Sequence, residues 1–141
     1  MTREETEAFF KNRDIAWRTH DAEVLASAHA ANGTVESPMF GSLHGQEQIA
    51  KAYTALFRSF SDWSFGDESL IIDGDQVVQP FNATATHSAD FMGLAASGRK
   101  FRIQGVRLYT MKDGKIQHER RAYDFTALLI QVGVLKSKPA V

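Results

Sequence analysis

The stretch KFRIQGVRLYTMKDGKIQHERRAYD, residues 100–124, reads as two extended segments joined by a tight turn. In its first half Phe101, Ile103, Arg107 and Tyr109 fall at alternate positions, the period that places side chains on one face of a strand. Asp113-Gly114 supplies the residue types that a tight hairpin turn needs. Lys100 to Met111 and Lys115 to Tyr123 are therefore predicted as an antiparallel pair. Arg107 shares a face with three large apolar residues, and a buried arginine calls for a carboxylate. Asp124, at the end of the adjoining strand, is the natural candidate.

Upstream, the same period runs from Trp63 to Ile72 and from Gln76 to His87, joined by the turn Asp73-Gly74-Asp75. Pro80 marks an edge or a bulge in the second of these strands, because proline has no N–H to give a ladder. Before the strands the spacing is helical. Arg3 to His20 carries Ala8, Phe9, Ile15, Ala16 and Trp17, with Thr2 and Glu5 placed as a capping box. Asp21 caps a short helix through Val24, Leu25, Ala28 and His29, closed at Asn32-Gly33. Val35 to Met39 is a short extended piece, and Gln46 to Phe60 is a helix presenting Ile49, Tyr53, Leu56, Phe57 and Phe60. A last helix, Asp124 to Val132, stops at Gly133. Helices first, then a run of long antiparallel strands, define an α+β fold with helices on one face of a curved sheet. At 141 residues the chain forms one domain, residues 1–141.

Composition narrows the function classes. A formal net charge of −1 gives no basic field for a phosphate backbone, which argues against nucleic-acid binding. With no cysteine there is no disulfide and no thiolate chemistry. Met1 to Glu7 is too polar and acidic for a signal peptide, and no apolar run reaches membrane-spanning length, so a cytoplasmic protein is expected. His20, His29 and His44 find no second ligand at metal spacing, and no metal is expected. Dinucleotide, phosphate-loop and nucleophile-elbow patterns do not occur.

Several motifs occur in a fixed order. They are His20-Asp21, Ser37-Pro38, Gly45, Thr86-His87, Phe91-Met92-Gly93-Leu94, Ser97-Gly98-Arg99, Asp113-Gly114-Lys115-Ile116, and Tyr123-Asp124-Phe125 with Leu128-Leu129, Gln131 and Gly133. In this order and spacing the chain resembles the SnoaL-like polyketide and ester cyclases of the NTF2-like superfamily, most closely over Trp63 to Val134. The resemblance implies a cone, with a curved antiparallel sheet against N-terminal helices around an apolar cavity. It implies homodimers packed through the outer sheet face. It also implies ring closure or isomerisation of a hydrophobic carbonyl compound, polyketide-like or steroid-like, without a cofactor, with an aspartate moving the proton.

That aspartate matches Asp124, and His87 matches a family histidine. Where the cyclases place a histidine and an asparagine, this chain has Arg107 and Ser37. Arg107 does not deprotonate, so it cannot serve as a general acid, but it can stabilise an oxyanion. A carboxylate in an apolar cavity is a better base, because desolvation raises its pKa; aspartate at a strand-to-helix junction is equally a preferred N-cap. His118 and Arg120 share strand parity with Asp124, which would bring one of them to the pocket. Trp17, Phe40, Trp63, Phe91 and Met92 are candidate lining residues, joined by Ser37, by Tyr53 on its helix and by Tyr109 beside Arg107. A non-catalytic binder of an apolar small molecule is the alternative. Epoxide hydrolysis ranks lower, since Tyr109 stands where a second aspartate would be needed. A protein-binding scaffold has no exposed motif to support it.

Overall fold

The computed structural model describes residues 1–66 and 69–136. Helix α1, Arg3–Arg18, starts at a complete capping box: Glu5 N–H donates to the Thr2 hydroxyl at 3.1 Å, and Thr2 N–H donates to the Glu5 carboxylate at 2.8 Å. Two of the donors a helix start leaves orphaned are satisfied this way. Asp21 caps α2, Ala22–Ser27, through Val24 N–H.

The chain does not stay helical to Asn32-Gly33, as the pattern predicted. It enters strand β1, His29–Ser37, directly after Ala28. A Cβ at Gly33 would meet the carbonyl oxygens of Ala30 at 3.0 Å and Ile116 at 3.1 Å, so glycine is needed there for close backbone approach. Then follow β2 (Gly41–His44), α3 (Gly45–Ser59), β3 (Ser64–Gly66), β4 (Ile71–Asp73), β5 (Gln76–Thr86), β6 (Lys100–Lys112), β7 (Lys115–Tyr123) and α4 (Phe125–Gln131).

The strands form one curved, open sheet in the order β2-β1-β7-β6-β5-β3, with β4 also on β5. Two expectations change. The strand expected from Trp63 to Ile72 is two short ones, β3 and β4, and residues 67 and 68 between them lie outside the described residues. The sheet is also not wholly antiparallel, because β1 lies parallel to β7. Parallel neighbours need a long crossover, here everything from β2 to β6, and local periodicity carries no trace of it. Pro80 was expected at an edge or a bulge: β3 covers Asn82 to Thr84 and β4 covers Gln76 to Val78, and among the described residues the stretch between has no strand partner on that side.

Odd-numbered residues of β5 and β6 face inward, among them Val77, Gln79, Phe81, Phe101, Ile103, Arg107 and Tyr109. On β7 a bulge changes the parity. Thr110 pairs with His118 but Met111 with Ile116, leaving Gln117 as an extra residue. Ile116 faces in before the bulge; Glu119 and Arg121 face in after it, and Arg120 faces out. The core has two parts. The larger gathers Trp17, Leu25, Ile49, Tyr53, Leu56, Phe60, Trp63, Phe81, Phe101 and Leu128; the smaller gathers Phe10, Val77, Tyr109, Met111 and Ile116. Among the described residues no helix is long and apolar enough to cross a membrane.

Gly105 decides how the sheet carries its inner layer. A Cβ there would fall 2.4 Å from the Ala122 carbonyl oxygen, 2.8 Å from Tyr123 Cβ and 2.9 Å from the Phe81 ring. The Phe81 ring occupies the space a side chain would take. Gly105→Ala is expected to destabilise the protein by about 2–3 kcal/mol, the cost of overpacking a well-filled site. Urea unfolding measures it, and an unchanged midpoint would mean that the ring and β7 move aside freely.

Candidate functional site

The inner face of β5, β6 and β7 carries one polar rung, Gln79, Arg107 and Arg121, paired in register across the three strands. Arg107 is buried, with 1% of its surface exposed. Its guanidinium carbon lies 4.2 Å from the centroid of the Phe81 ring, 4.5 Å from Trp17 and 4.8 Å from Phe65. Three ring faces attract the cation through their quadrupoles, yet they accept no conventional hydrogen bond. Arg107 Nε and Nη1 have no partner. The expected ion pair with Asp124 is absent. Burial lowers the Arg107 pKa, and the nearby Arg121 charge adds to the effect, while Tyr109 opposes it.

Beside Arg107 lies a charge network that sequence reading missed. Glu119, with none of its surface exposed, accepts from Arg121 Nε at 2.5 Å and faces Arg13 at 3.6 Å and His29 Nε2 at 3.5 Å. Tyr53 OH accepts from Arg13 Nη2 at 3.1 Å and from Arg121 Nη2 at 2.9 Å, and Arg13 Nη1 donates to the Leu25 carbonyl at 2.9 Å. Burial pushes the Glu119 pKa up, but Arg121, Arg13 and His29 outweigh it and hold it at about 2. Burial, with Arg13, drives His29 down to about 3. Gln79 Nε2 donates to Asp14 at 3.0 Å, bringing a second buried carboxylate to the rung. The signal that would have revealed Glu119 and Arg121 was the parity of β7, which the bulge at Gln117 inverts.

Trp17, Tyr53 and Trp63 stand together as expected: Trp17 is edge-on to Tyr53 at 5.3 Å and stacked on Trp63 at 6.3 Å. Nε1 of both tryptophans is buried without a partner. Phe40 and Phe91 meet edge to face at 6.2 Å, and Phe91 lies 5.0 Å from Phe60. Ser37 is buried at the end of β1, where its hydroxyl accepts from Phe40 N–H at 2.9 Å. The interior these residues surround is filled: the crevice between Phe40, Leu43, Ile49, Tyr53, Leu56 and Arg121 has no room for a water molecule.

The other candidates lie elsewhere. Tyr109 points inward but belongs to the smaller core, 4.7 Å from Phe10, with its hydroxyl unpaired. Met92 is 60% exposed on a left-handed turn and lines nothing inside. His87 is buried at the far end of β5; Ser97 N–H donates to its Nδ1 at 3.3 Å, which leaves the hydrogen on Nε2, and Nε2 has no partner. His118 and Arg120 turn outward toward Glu36. Asp124 is exposed, and its carboxylate accepts from Ala127 N–H at 2.9 Å as the N-cap of α4. It borders an open depression with Arg102, Ile103 and Gln104. Among the described residues no ion pair joins Arg107 to an aspartate, as the Asp–Arg–Asp arrangement of an epoxide hydrolase would need. Among the described residues no group of three His, Asp or Glu side chains is placed to hold a metal ion.

The family model for SnoaL-like polyketide cyclases matches residues 10–132. No curated protein matches the sequence. Among solved structures, AclR of Streptomyces galilaeus, a candidate hydroxylase, is 21% identical, with 99% of this chain and 91% of that one covered at a TM-score of 0.83. IdmH of Streptomyces antibioticus, a candidate polyketide cyclase, is 25% identical over 84% of this chain and 91% of its own, TM-score 0.68. A protein with a ketosteroid isomerase-like fold from Catenulispora acidiphila is 19% identical, covering 99% and 100%, TM-score 0.74.

The buried charges set the acid limb of stability. His29 has a folded pKa of about 3 against an unfolded value near 6.5, so its contribution is full above pH 6.5 and is lost as pH falls toward 3. Glu119, held at about 2, adds a loss in the same direction below its usual value near 4.5. Unfolding free energy should fall with a His29 slope of about 1.4 kcal/mol per pH unit between these limits. A His29→Asn variant should lose that slope, and NMR should show the His29 ring neutral at pH 5. A ring that titrates near 6.5 would contradict the burial argument.

Proposed function

This chain belongs to the SnoaL-like polyketide cyclase family, and from that premise we propose that it is a cofactor-independent cyclase or isomerase of a hydrophobic carbonyl compound. One observation carries the reading. The aromatic interior offers unpaired N–H donors from Trp17, Trp63 and Arg107 around a single region. Donors with no acceptor of their own, held in a dry aromatic setting, are what a developing enolate or alkoxide oxygen requires. In this reading Arg107 and the two indoles hold the carbonyl oxygen.

Asp124 is the candidate for the proton transfer. Its carboxylate caps α4 at the exposed surface beside Ile103, so this role requires an extended substrate that is deprotonated there while a second carbonyl oxygen of the same molecule lies at Arg107. The same position favours a second reading, a non-catalytic binder of an apolar small molecule, in which Asp124 is a cap and nothing more.

Two variants separate the readings. Asn caps helices as well as Asp does, so Asp124→Asn should keep full stability, while Asp124→Ala should lose about 1 kcal/mol. With 2-tetralone as probe, enzyme-catalysed exchange of its α-hydrogens in deuterium oxide, followed by NMR, should fall at least about a hundredfold in Asp124→Asn if that carboxylate is the base. Unchanged exchange would remove Asp124 from the mechanism, and no catalysed exchange by the wild type would favour the binder.

The partner surface proposed is the outer sheet face, with a second copy of the chain. Val78, Pro80, Val106, Leu108 and Ala122 lie together there by register, rimmed by Gln76, Asn82, Gln104 and Arg120. An apolar centre with a polar rim suits a two-fold interface. Light scattering should give a dimer for the wild type and a monomer for Leu108→Asp; a wild-type monomer at micromolar concentration would refute the interface.

A further inference from the structure

The interior has more positive charge than its own carboxylates can answer. Among the described residues Arg13, Arg107 and Arg121 turn inward, against Asp14 and Glu119. Glu119 is committed to Arg121 and Arg13, and Asp14 receives the Gln79 amide. Arg107 is left with ring faces on three sides and two N–H-bearing nitrogens that meet no acceptor. A buried cation in that state is costly, and an arrangement serving stability alone would supply an anion or remove the charge. The neighbouring orphans are donors as well, Trp17 Nε1 and Trp63 Nε1, and the Arg121 guanidinium stands 6.0 Å from the same Trp17 ring that Arg107 covers at 4.5 Å. The orphaned nitrogens of Arg107, Trp17 and Trp63 would be answered by a negatively charged oxygen, while Glu119 Oε1, within the Arg121 network, is an acceptor without a hydrogen bond.

We propose that the interior around Arg107 is an anion site, and that the compound bound there is a flat, largely apolar molecule bearing a carboxylate or an acidic enol whose oxygens pair with Arg107. The inference rests on the reading of this interior as the ligand compartment, and it narrows the substrate class from carbonyl compounds in general to those that arrive charged. The aromatic walls stack on the ring system; the charge selects among ring systems. The crevice beside Arg121, bordered by Phe40, admits no water molecule as it stands, so such a molecule reaches Trp17 and Arg107 only when the Phe40 side chain and its neighbours move aside.

Calorimetric titration with 2-naphthoate and with its neutral isostere 2-naphthamide tests this. The wild type should bind the carboxylate at least about tenfold more tightly than the amide. Arg107→Met keeps the side-chain length and drops the charge. It should bring the two affinities within about twofold while its melting temperature stays equal or rises, since an unanswered buried charge has been removed. Arg107→Lys should retain part of the preference, and it supplies the comparison if the methionine variant does not fold. Equal wild-type affinities, no binding of 2-naphthoate, or an undiminished preference in Arg107→Met would overturn the proposal. A lower melting temperature with the preference intact would assign Arg107 a structural role. Because turnover is not measured, failure of the tetralone exchange leaves this result standing, and the reverse also holds.

Discussion

Glu119 is the constraint on which the rest of the interior depends. It sits on β7 with no surface exposed, and its two neighbours Arg13 and Arg121 come from α1 and from its own strand. Through Tyr53 the same arginines also hold α3. One carboxylate thus ties two helices to the inner face of the sheet. Removing one partner of such a network leaves an uncompensated buried charge, typically a loss of about 3–5 kcal/mol. The helices are consequently fixed in direction as well as by apolar packing, and Trp17 and Tyr53, carried on them, meet at a defined angle.

Glu119 pairs with two arginines, and among the described residues no ion pair joins it to the third. Arg107 lies one pair further along β6, opposite Arg121, and is placed by strand parity whether or not an anion is available. Its solution is aromatic: Trp17 from α1, Phe65 from β3 and Phe81 from β5. Phe81 can lie where it does because Gly105 leaves the sheet bare beneath it. The strain on charge balance and the freedom at one glycine therefore belong to one arrangement. It puts a cation and two indole N–H groups into a space from which water is excluded. The two residues that the family resemblance singled out lie apart from that space, His87 just after the end of β5 and Asp124 as the exposed N-cap of α4.

Much of this was readable in the chain. The capping box at Thr2, the hairpins at Asp73-Gly74 and Asp113-Gly114, the edge at Pro80 and the inward face of β6 with Arg107 on it all follow from local rules and occur as expected. So does the family. The site was less readable. Parity with Asp124 offered one of His118 and Arg120 to the pocket, whereas after the extra residue at Gln117 the inward positions are Glu119 and Arg121. Asp124 was rightly read as a possible N-cap, but which side of the sheet its carboxylate would face depended on that same bulge.

The sequence by itself determined most of the elements, the α+β class, the family and the isolated fact that an arginine shares a strand face with aromatic residues. These depend on contacts between residues near one another in the chain, where periodicity and turn chemistry suffice. Only the tertiary structure decided that β1 runs parallel to β7, that Glu119 is consumed by Arg13 and Arg121, and that Arg107 meets rings instead of Asp124. Each of those outcomes is a competition among groups distant in sequence for one partner in space. Local pattern names the competitors; the packed geometry determines which of them are close enough to pair.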